Sequence, residues 1–247
     1  MNLPARTLEE KIALIRGELA NSPRVAALTG AGISAESGVP TFRGQDGLWR
    51  QYRATDLATP EAFARDPRLV WEFYHWRRQL LAAVRPNAAH LALAALERRL
   101  PHFRLITQNI DGLHHLAGSR RVIELHGNIW QVRCTGCGRV LEDRAVPPAE
   151  LPGCKACGQL LRPHVVWFGE MLDPDILDQA YQVLQECQTL LIIGTSGNVQ
   201  PAASMGLYAK SQGAFVAEVN LDPTPYTGSY DLTVLGRAGA IIPELLA

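Results

Sequence analysis

The chain has no surplus of either charge: 24 Lys and Arg face 24 Asp and Glu across 247 residues, a formal net charge of +0. A balanced surface supplies no long-range field for holding phosphate backbones, so nucleic-acid binding would need a local basic patch, and none stands out. Long apolar runs are missing too. No stretch approaches the roughly 20 consecutive apolar residues that span a bilayer. The opening MNLPARTLEEKIALIRGELA carries Glu9, Glu10 and Glu18 and has no signal-peptide core, so it reads as an amphipathic helix. Cysteine is scarce. Of five, four stand in two C-x-x-C pairs and Cys187 is left over, a pattern that suits metal binding in a reducing compartment better than a disulfide framework. Cys187 is read as a small buried apolar side chain. The expectation is a cytoplasmic monomer without nucleic-acid or membrane partners. Hydrophobic residues at 47% and charged residues at 19% exclude a disordered chain, and the length suits one domain over residues 1–247.

Short apolar runs alternate with longer amphipathic stretches, the pattern of βα units around a mostly parallel sheet with helices on both faces. The runs predict strands over Val25–Thr29, Leu105–Gln108, Val122–Leu125, Val165–Phe168, Leu190–Gly194 and Phe215–Asn220. Helical patterns cover Leu8–Ala20, Leu69–Val84, Ala89–Leu100, Pro174–Gln185 and Pro201–Ser211. Two stretches break the alternation: 44–86, which is helical, and 130–163, which holds the paired cysteines. Both read as insertions into a Rossmann-like α/β fold that together build a smaller lobe.

Directly after the first strand, Gly30-Ala31-Gly32-Ile33-Ser34-Ala35 fits the G-x-G-x-x-G/A turn that lets a backbone approach a dinucleotide pyrophosphate. Taken alone it is equally a tight strand-to-helix turn. A hydride-transferring Rossmann enzyme should continue through a helix into a second strand with an acidic residue about 20 positions on. Here the chain runs instead through Glu36-Ser37-Gly38-Val39-Pro40-Thr41-Phe42-Arg43-Gly44, a loop.

This stretch resembles the sirtuin family, whose phosphate loop reads G-A-G-x-S-x-x-S-G-x-P-x-F-R-G. The likeness continues in Thr107-Gln108-Asn109-Ile110-Asp111, Leu125-His126-Gly127, Arg162 to Glu170, Gly194-Thr195-Ser196 with Val199 and Pro201, and Asn220-Leu221-Asp222. It spans nearly the whole chain in order. Asp222 stands where many relatives have glutamate.

Cys134-x-x-Cys137 and Cys154-x-x-Cys157, sixteen residues apart, are two knuckles able to offer four sulfurs to one tetrahedral ion. Four thiolates leave no coordination position for water or substrate, so the zinc would be structural. Two disulfides are the weaker reading in a reducing compartment.

The resemblance implies an enzyme that consumes NAD to take acyl groups off protein lysines. It places the cofactor along Gly30, Ala31, Gly32, Ser34, Glu36, Thr41, Phe42 and Arg43, then Trp49, then Gln108, Asn109, Ile110 and Asp111. The far end would meet Gly194, Thr195, Ser196, Asn220, Leu221, Asp222 and Ala238. In the family, the acyl oxygen attacks the nicotinamide ribose and releases nicotinamide. A histidine then draws a proton from the ribose hydroxyls, so that the 2′-oxygen takes the acyl group. His126 matches that base, with Asn109 and Asp111 as its catalytic neighbours; an imidazole near its unperturbed pKa of roughly 6.5 suits the transfer. By itself, the Asn109 and Asp111 pattern is also an Asx turn closing a strand.

Tyr74 and Arg77, three apart on a predicted helix, project from one face and can converge on one group. A guanidinium fork fits a carboxylate and a phenol adds a donor. This Y-x-x-R pair resembles the sirtuin branch that removes succinyl, malonyl and related acidic acyl groups, and Ala58 matches a small residue that makes room there. The bland alternative is a surface tyrosine and an arginine paired with Glu72 or Glu61. Val166, Phe168, Gly169 and Glu170 match the segment that pairs with the substrate main chain, opposite Gly197-Asn198-Val199. The expectation is a deacylase for succinyl, malonyl and possibly glutaryl lysine with weaker deacetylase activity, the rivals being a plain deacetylase, an oxidoreductase, an ADP-ribosyl transferase or a zinc-ribbon binding module.

Overall fold

The computed structural model describes residues 6–40, 48–49, 52–146 and 151–247. Thr41, Phe42 and Arg43 lie outside the described residues, and of Trp49 the backbone alone is described. Helix α1 (Leu8–Asn21) begins at a reciprocal capping box: Thr7 N–H donates to the Glu10 carboxylate (2.7 Å) and Glu10 N–H to the Thr7 hydroxyl (3.2 Å). Strand β1 (Val25–Thr29) and the short α2 (Gly32–Ala35) follow. The hairpin β2 (Leu48–Trp49) with β3 (Tyr52–Arg53) then leads to α3 (Ala54–Leu57), α4 (Pro60–Arg65) and α5 (Pro67–Ala83). Thr59 and Asp66 cap the last two, each ahead of a proline whose fixed φ and missing N–H suit a first helical position.

Next come α6 (Ala88–Arg99), β4 (Arg104–Thr107), α7 (Leu113–Leu116), β5 (Val122–Glu124), β6 (Gly127–Cys134), β7 (Val140–Glu142) and β8 (Leu161–Val165). The chain ends with α8 (Pro174–Glu186), β9 (Thr189–Ile193), α9 (Met205–Ser211), β10 (Phe215–Asn220), β11 (Leu232–Leu235) and α10 (Ala238–Leu246). Among the described residues no helix is long and apolar enough to cross a membrane.

The main sheet has the order β11-β10-β9-β1-β4-β5, every neighbouring pair parallel. Its strands are apolar on both faces, as a sheet covered by helices on two sides requires. Val25, Ala27, Leu191, Ile193, Ala217 and Val219 point into one core with Ile12, Ile15, Leu93 and Ile242. The alternate residues Ala26, Leu28, Leu190, Ile192 and Val216 point into the other, with Ala180, Leu184 and Met205. The strand order reverses between β1 and β9, and the crevice beyond the carboxyl ends of such a pair is where open α/β sheets bind ligands.

The small lobe joins α3, α4 and α5 to an antiparallel sheet of order β7-β6-β8 around one core that includes Phe63, Val70, Trp71, Phe73, Ile129, Trp130, Val132, Leu161 and Trp167. The strand expected at Val165–Phe168 is therefore corrected. The strand is β8, antiparallel to β6, from Gly127↔Val165 to Cys134↔Leu161, and it belongs to the small lobe. Val165 and Trp167 are buried there; an apolar run does not say which sheet will cover it. β6, β7, β11 and α10 are not among the elements the periodicity predicts. Helix α10 opens on Ala-Gly-Ala and holds Pro243, so burial of Ile241, Ile242, Leu245 and Leu246 rather than propensity sustains it.

At the switch point the loops after β1 and β9 touch backbone to backbone. Gly30 N–H donates to Ile193 O (3.0 Å) and Gly32 N–H to Gly194 O (2.8 Å). A Cβ on Gly32 would lie 2.7 Å from Gly194 Cα, and one on Gly194, whose φ is +62°, would collide with the Ile33 amide nitrogen. Gly194→Ala should therefore cost the about 1–3 kcal/mol of a strained left-handed backbone plus the clash, measured as a lower midpoint in thermal or denaturant unfolding.

Candidate active site

β4 ends at Thr107, and the next four residues wrap around the crevice. The Asn109 side chain donates to Gly30 O (3.0 Å) and to the Ser34 hydroxyl (3.3 Å), and Asn109 N–H donates to Thr107 Oγ1 (3.1 Å). The single Ser34 proton goes to Asp111 Oδ2 (2.8 Å), and Asp111 Oδ1 accepts Leu113 N–H (2.8 Å). His90 lies against the same serine, its Nε2 3.3 Å from the Ser34 hydroxyl, and its Nδ1 is held at the helix cap, 3.0 Å from Asn87 Oδ1 and 3.4 Å from Asn87 N. Asn109 and Asp111 are thus held by the phosphate-loop serine, and the Asx-turn alternative is true of Asp111 as well. Burial raises the Asp111 carboxyl, while the Leu113 amide, Ser34 and Arg77 pull it back.

Two buried histidines back this network and were not singled out in the sequence. His90 and His114 lie ring to ring with centroids 4.8 Å apart. Thr29 Oγ1 gives its proton to Thr107 Oγ1 (2.8 Å), so it accepts from His114 Nε2 at 3.0 Å. Burial pushes His90 down to about 4 and His114 well below its ordinary range, so both are neutral. The one sequence cue is Asn87, three before His90, which reads as a helix cap.

His126 stands two residues past β5. Its Nδ1 lies 3.0 Å from Gln108 O, and a carbonyl can only accept, so Nδ1 carries the proton and Nε2 keeps the lone pair. Burial lowers its pKa below the ordinary 6.5, which corrects the expectation of an unperturbed imidazole; the Gln108 bond opposes the shift without cancelling it.

The residues expected on the substrate side gather at the lobe junction. Val166 N–H donates to His126 O (2.9 Å) and Phe168 N–H to Ala58 O (2.9 Å). Both Glu170 carboxylate oxygens are occupied by Arg162 (2.5 and 2.9 Å), and Oε2 also takes Trp167 N–H (2.8 Å). The Arg162 guanidinium lies 3.3 Å from the Trp167 ring centroid. Glu170 therefore shapes this segment through its side chain, and Gly169 forms its turn with φ +86°. Tyr74 is 1% exposed, which removes the surface-tyrosine alternative, and its hydroxyl accepts Trp167 Nε1–H (2.9 Å). Arg77, beside it, lowers the burial-raised pKa of Tyr74, and desolvation lowers that of Arg77 itself while Tyr74 and Asp111 oppose it.

At the far end, Asn220 donates to Thr195 O (2.6 Å) and accepts Leu221 N–H (3.0 Å), while Leu221 and Asp222 are exposed. Ser196 Oγ accepts Asn198 N–H (3.3 Å). Glu36 caps α10, accepting Gly239 N–H (2.7 Å) next to Ala238, so these two distant candidates meet. Ile110 sits between the site and the small-lobe core, its carbonyl taking Ile129 N–H (2.9 Å).

The four paired cysteines form no disulfide, and their sulfurs lie within 4.8 Å of one another. Cys134–Cys157 and Cys137–Cys154 are 3.3 and 3.8 Å apart. A tetrahedron with Zn–S of about 2.3 Å has edges of about 3.8 Å, so the set fits zinc. Gly136 and Cys137 N–H point at Cys134 Sγ (3.3 and 3.4 Å), as befits a thiolate. Cys187 is buried elsewhere, its thiol pushed up to about 11, and stays apart from the metal.

The arrangement defines an α/β protein with a crevice at the carboxyl edge of its sheet and, beside it, a lobe whose four cysteines are placed to hold zinc. The sequence model of the Sir2 family matches residues 30–201, and the chain belongs to that family. The NAD-dependent protein deacylase of Aquifex aeolicus is 54% identical over 209 residues, covering 84% of this chain and 87% of that protein. NAD-dependent protein deacylase sirtuin-5, mitochondrial, of Danio rerio is 46% identical over 262 residues, 95% of this chain and 86% of that one. A crystal structure of a Sir2 homolog–NAD complex superposes with a TM-score of 0.91 at 47% identity, covering 100% of this chain and 95% of that one.

Two outcomes follow from the geometry. Removing zinc with a strong chelator should melt the small lobe, seen as loss of the near-ultraviolet dichroism of Trp71, Trp130 and Trp167 and a lower Tm. If His126 is the base the resemblance implies, it must be neutral to act, and since burial depresses its pKa, kcat/KM should rise with pH through an apparent pKa below 6.5, measured in a pH profile.

Proposed function

We propose that this Sir2-family NAD-dependent protein deacylase works best on lysines carrying short acidic acyl groups, succinyl and malonyl foremost, with weaker activity on acetyl-lysine. The observation that carries the reading is the Trp167 Nε1–Tyr74 hydroxyl bond of 2.9 Å. It holds the phenol beside the segment whose Val166 N–H bonds to His126 O, with its own proton left to donate and Arg77 as electrostatic neighbour. Ala58 accepts from Phe168 N–H at the same junction and contributes a side chain of only one methyl. A desolvated guanidinium gains most from a carboxylate that accepts both arms of its fork. Facing an uncharged acetyl group it loses that partner, at a cost on the order of 1–3 kcal/mol.

In this reading NAD, consumed as co-substrate, lies over the loops after β1, β4 and β9, and supplies the ribose carbon that the acyl oxygen attacks as nicotinamide departs. The chain's own residues do the rest. Asn109 and Asp111, fixed by Ser34, hold the ribose and the carboxamide. His126 Nε2 takes the ribose hydroxyl proton, its Nδ1 proton pinned by Gln108 O. The far loop at Ser196, Asn220, Leu221 and Asp222 receives the adenosine end. The N–H groups of Val166, Trp167 and Phe168 are all spent internally, so a peptide strand here must donate to carbonyls, and it would be read weakly by sequence. The enzyme would act as a cytoplasmic monomer.

The test is NAD-dependent nicotinamide release on one peptide bearing acetyl- or succinyl-lysine. Succinyl-lysine should be preferred, and Arg77→Met should cut desuccinylation on the order of 10–100-fold while deacetylation falls much less. An acetyl preference, or equal losses, would leave a plain deacetylase.

A further inference from the structure

Helix α5 carries two adjacent arginines about 100° apart around its axis, and they face different worlds. Arg77 lies over the Phe73 ring, 5.7 Å from its centroid, within electrostatic reach of Tyr74 and Asp111. Arg78 is 0% exposed and turned into the small lobe. Its Nε donates to Ile129 O (2.9 Å) and its Nη1 to Asp143 Oδ2 (2.8 Å). The guanidinium lies over the rings of Trp71 and Trp130, 5.6 and 5.9 Å from their centroids. Trp71 Nε1 donates to Leu161 O (3.0 Å), and Tyr74 binds Trp167. Residues 71, 74 and 78 thus form one face that bolts α5 to all three strands of the small sheet or their ends.

Those strands are the ones the cysteines staple. Cys134 closes β6, the first knuckle turns into β7, and the second precedes β8. Asp143 follows β7 directly, its N–H donating to Trp130 O (2.8 Å). Trp130 in turn donates its indole N–H to Asp111 O (2.8 Å). A buried charge bound at both a carbonyl and a carboxylate resists rotation, since loss of either partner leaves it unsolvated.

We propose that Arg78, through Asp143 and Ile129 O, is a positioning residue for acyl specificity: it sets the rotation of α5 and so aims Arg77 at the acyl carboxylate. This rests on the acidic-acyl reading above. A bidentate contact demands alignment to about 10–20°, whereas an acetyl group makes no such demand. Release of Arg78 should therefore be felt by acidic acyl groups far more than by acetyl.

The experiment is a double-mutant cycle on zinc-loaded, full-length protein, with kcat and KM measured on succinyl- and acetyl-lysine peptides. Asp143→Ala should lower the succinyl-to-acetyl ratio of kcat/KM about tenfold, largely in KM for the succinyl peptide. Asp143→Asn, which keeps an acceptor oxygen for Arg78, should restore most of that ratio. In an Arg77→Met background Asp143→Ala should add little on the succinyl peptide, because it acts through Arg77. Equal losses on both peptides, or fully additive losses in the cycle, would overturn the proposal while leaving the acidic-acyl reading intact. That reading fails on its own evidence if Arg77→Met lowers both activities equally, and the proposal falls with it. Should Asp143→Ala not fold, Arg78→Lys takes its place, since a single nitrogen cannot reproduce a fork whose Nε and Nη1 reach two separate acceptors; an unchanged ratio there would overturn the proposal.

Discussion

The backbone contact between the loops after β1 and β9 is the constraint on which the site depends. Gly30 and Gly32 meet Gly194 so closely that no side chain fits between them. That contact brings the phosphate loop, the residues after β4 and the Gly194-Thr195-Ser196 turn onto one crevice. Ser34 can then reach Asp111, and Asn109 can reach Gly30 O. A familiar glycine pattern is usually explained by the ligand it admits. Here two of its glycines are required by the protein's own packing, before any ligand is considered.

Behind the crevice the polar groups are arranged to remain neutral where charge would be costly. His90 and His114 are buried without carboxylate partners and lose their protons to desolvation. Asp111 is a buried acid there, and its oxygens are engaged by a hydroxyl and an amide. Such a network, fully bonded except for His114 Nδ1, gives the site a rigid floor. His126 differs in having one nitrogen committed and the other left with its lone pair, which is what a base requires.

Specific bonds carry the order of the small lobe to the crevice: Trp167 to Tyr74 and Arg78 to Asp143 fix α5 against the small sheet, and Trp130 to Asp111 ties that sheet to the main lobe. A metal that does no chemistry can in this way still govern the precision of the site. Tryptophan is suited to the task, offering a large apolar body to the lobe core and a single N–H to one acceptor.

Much of this was legible in the chain itself. The alternation of apolar runs foretold five of the six strands expected, the C-x-x-C pairs foretold the four-sulfur cluster, and the loop motif foretold the crevice. Those signals are local: periodicity, spacing and backbone chemistry act over a few residues. Where the answer depended on which surface would cover an apolar run, locality failed. Val165–Phe168 went to the small lobe, α10 formed against propensity, and the buried pair His90 and His114 had no mark to separate them from other histidines. The tautomer and lowered pKa of His126, the occupation of Glu170 by Arg162 and the burial of Arg78 against Asp143 were decided only by the tertiary structure. Desolvation and hydrogen-bond geometry belong to neighbours that are distant in sequence, and no short stretch of residues contains them.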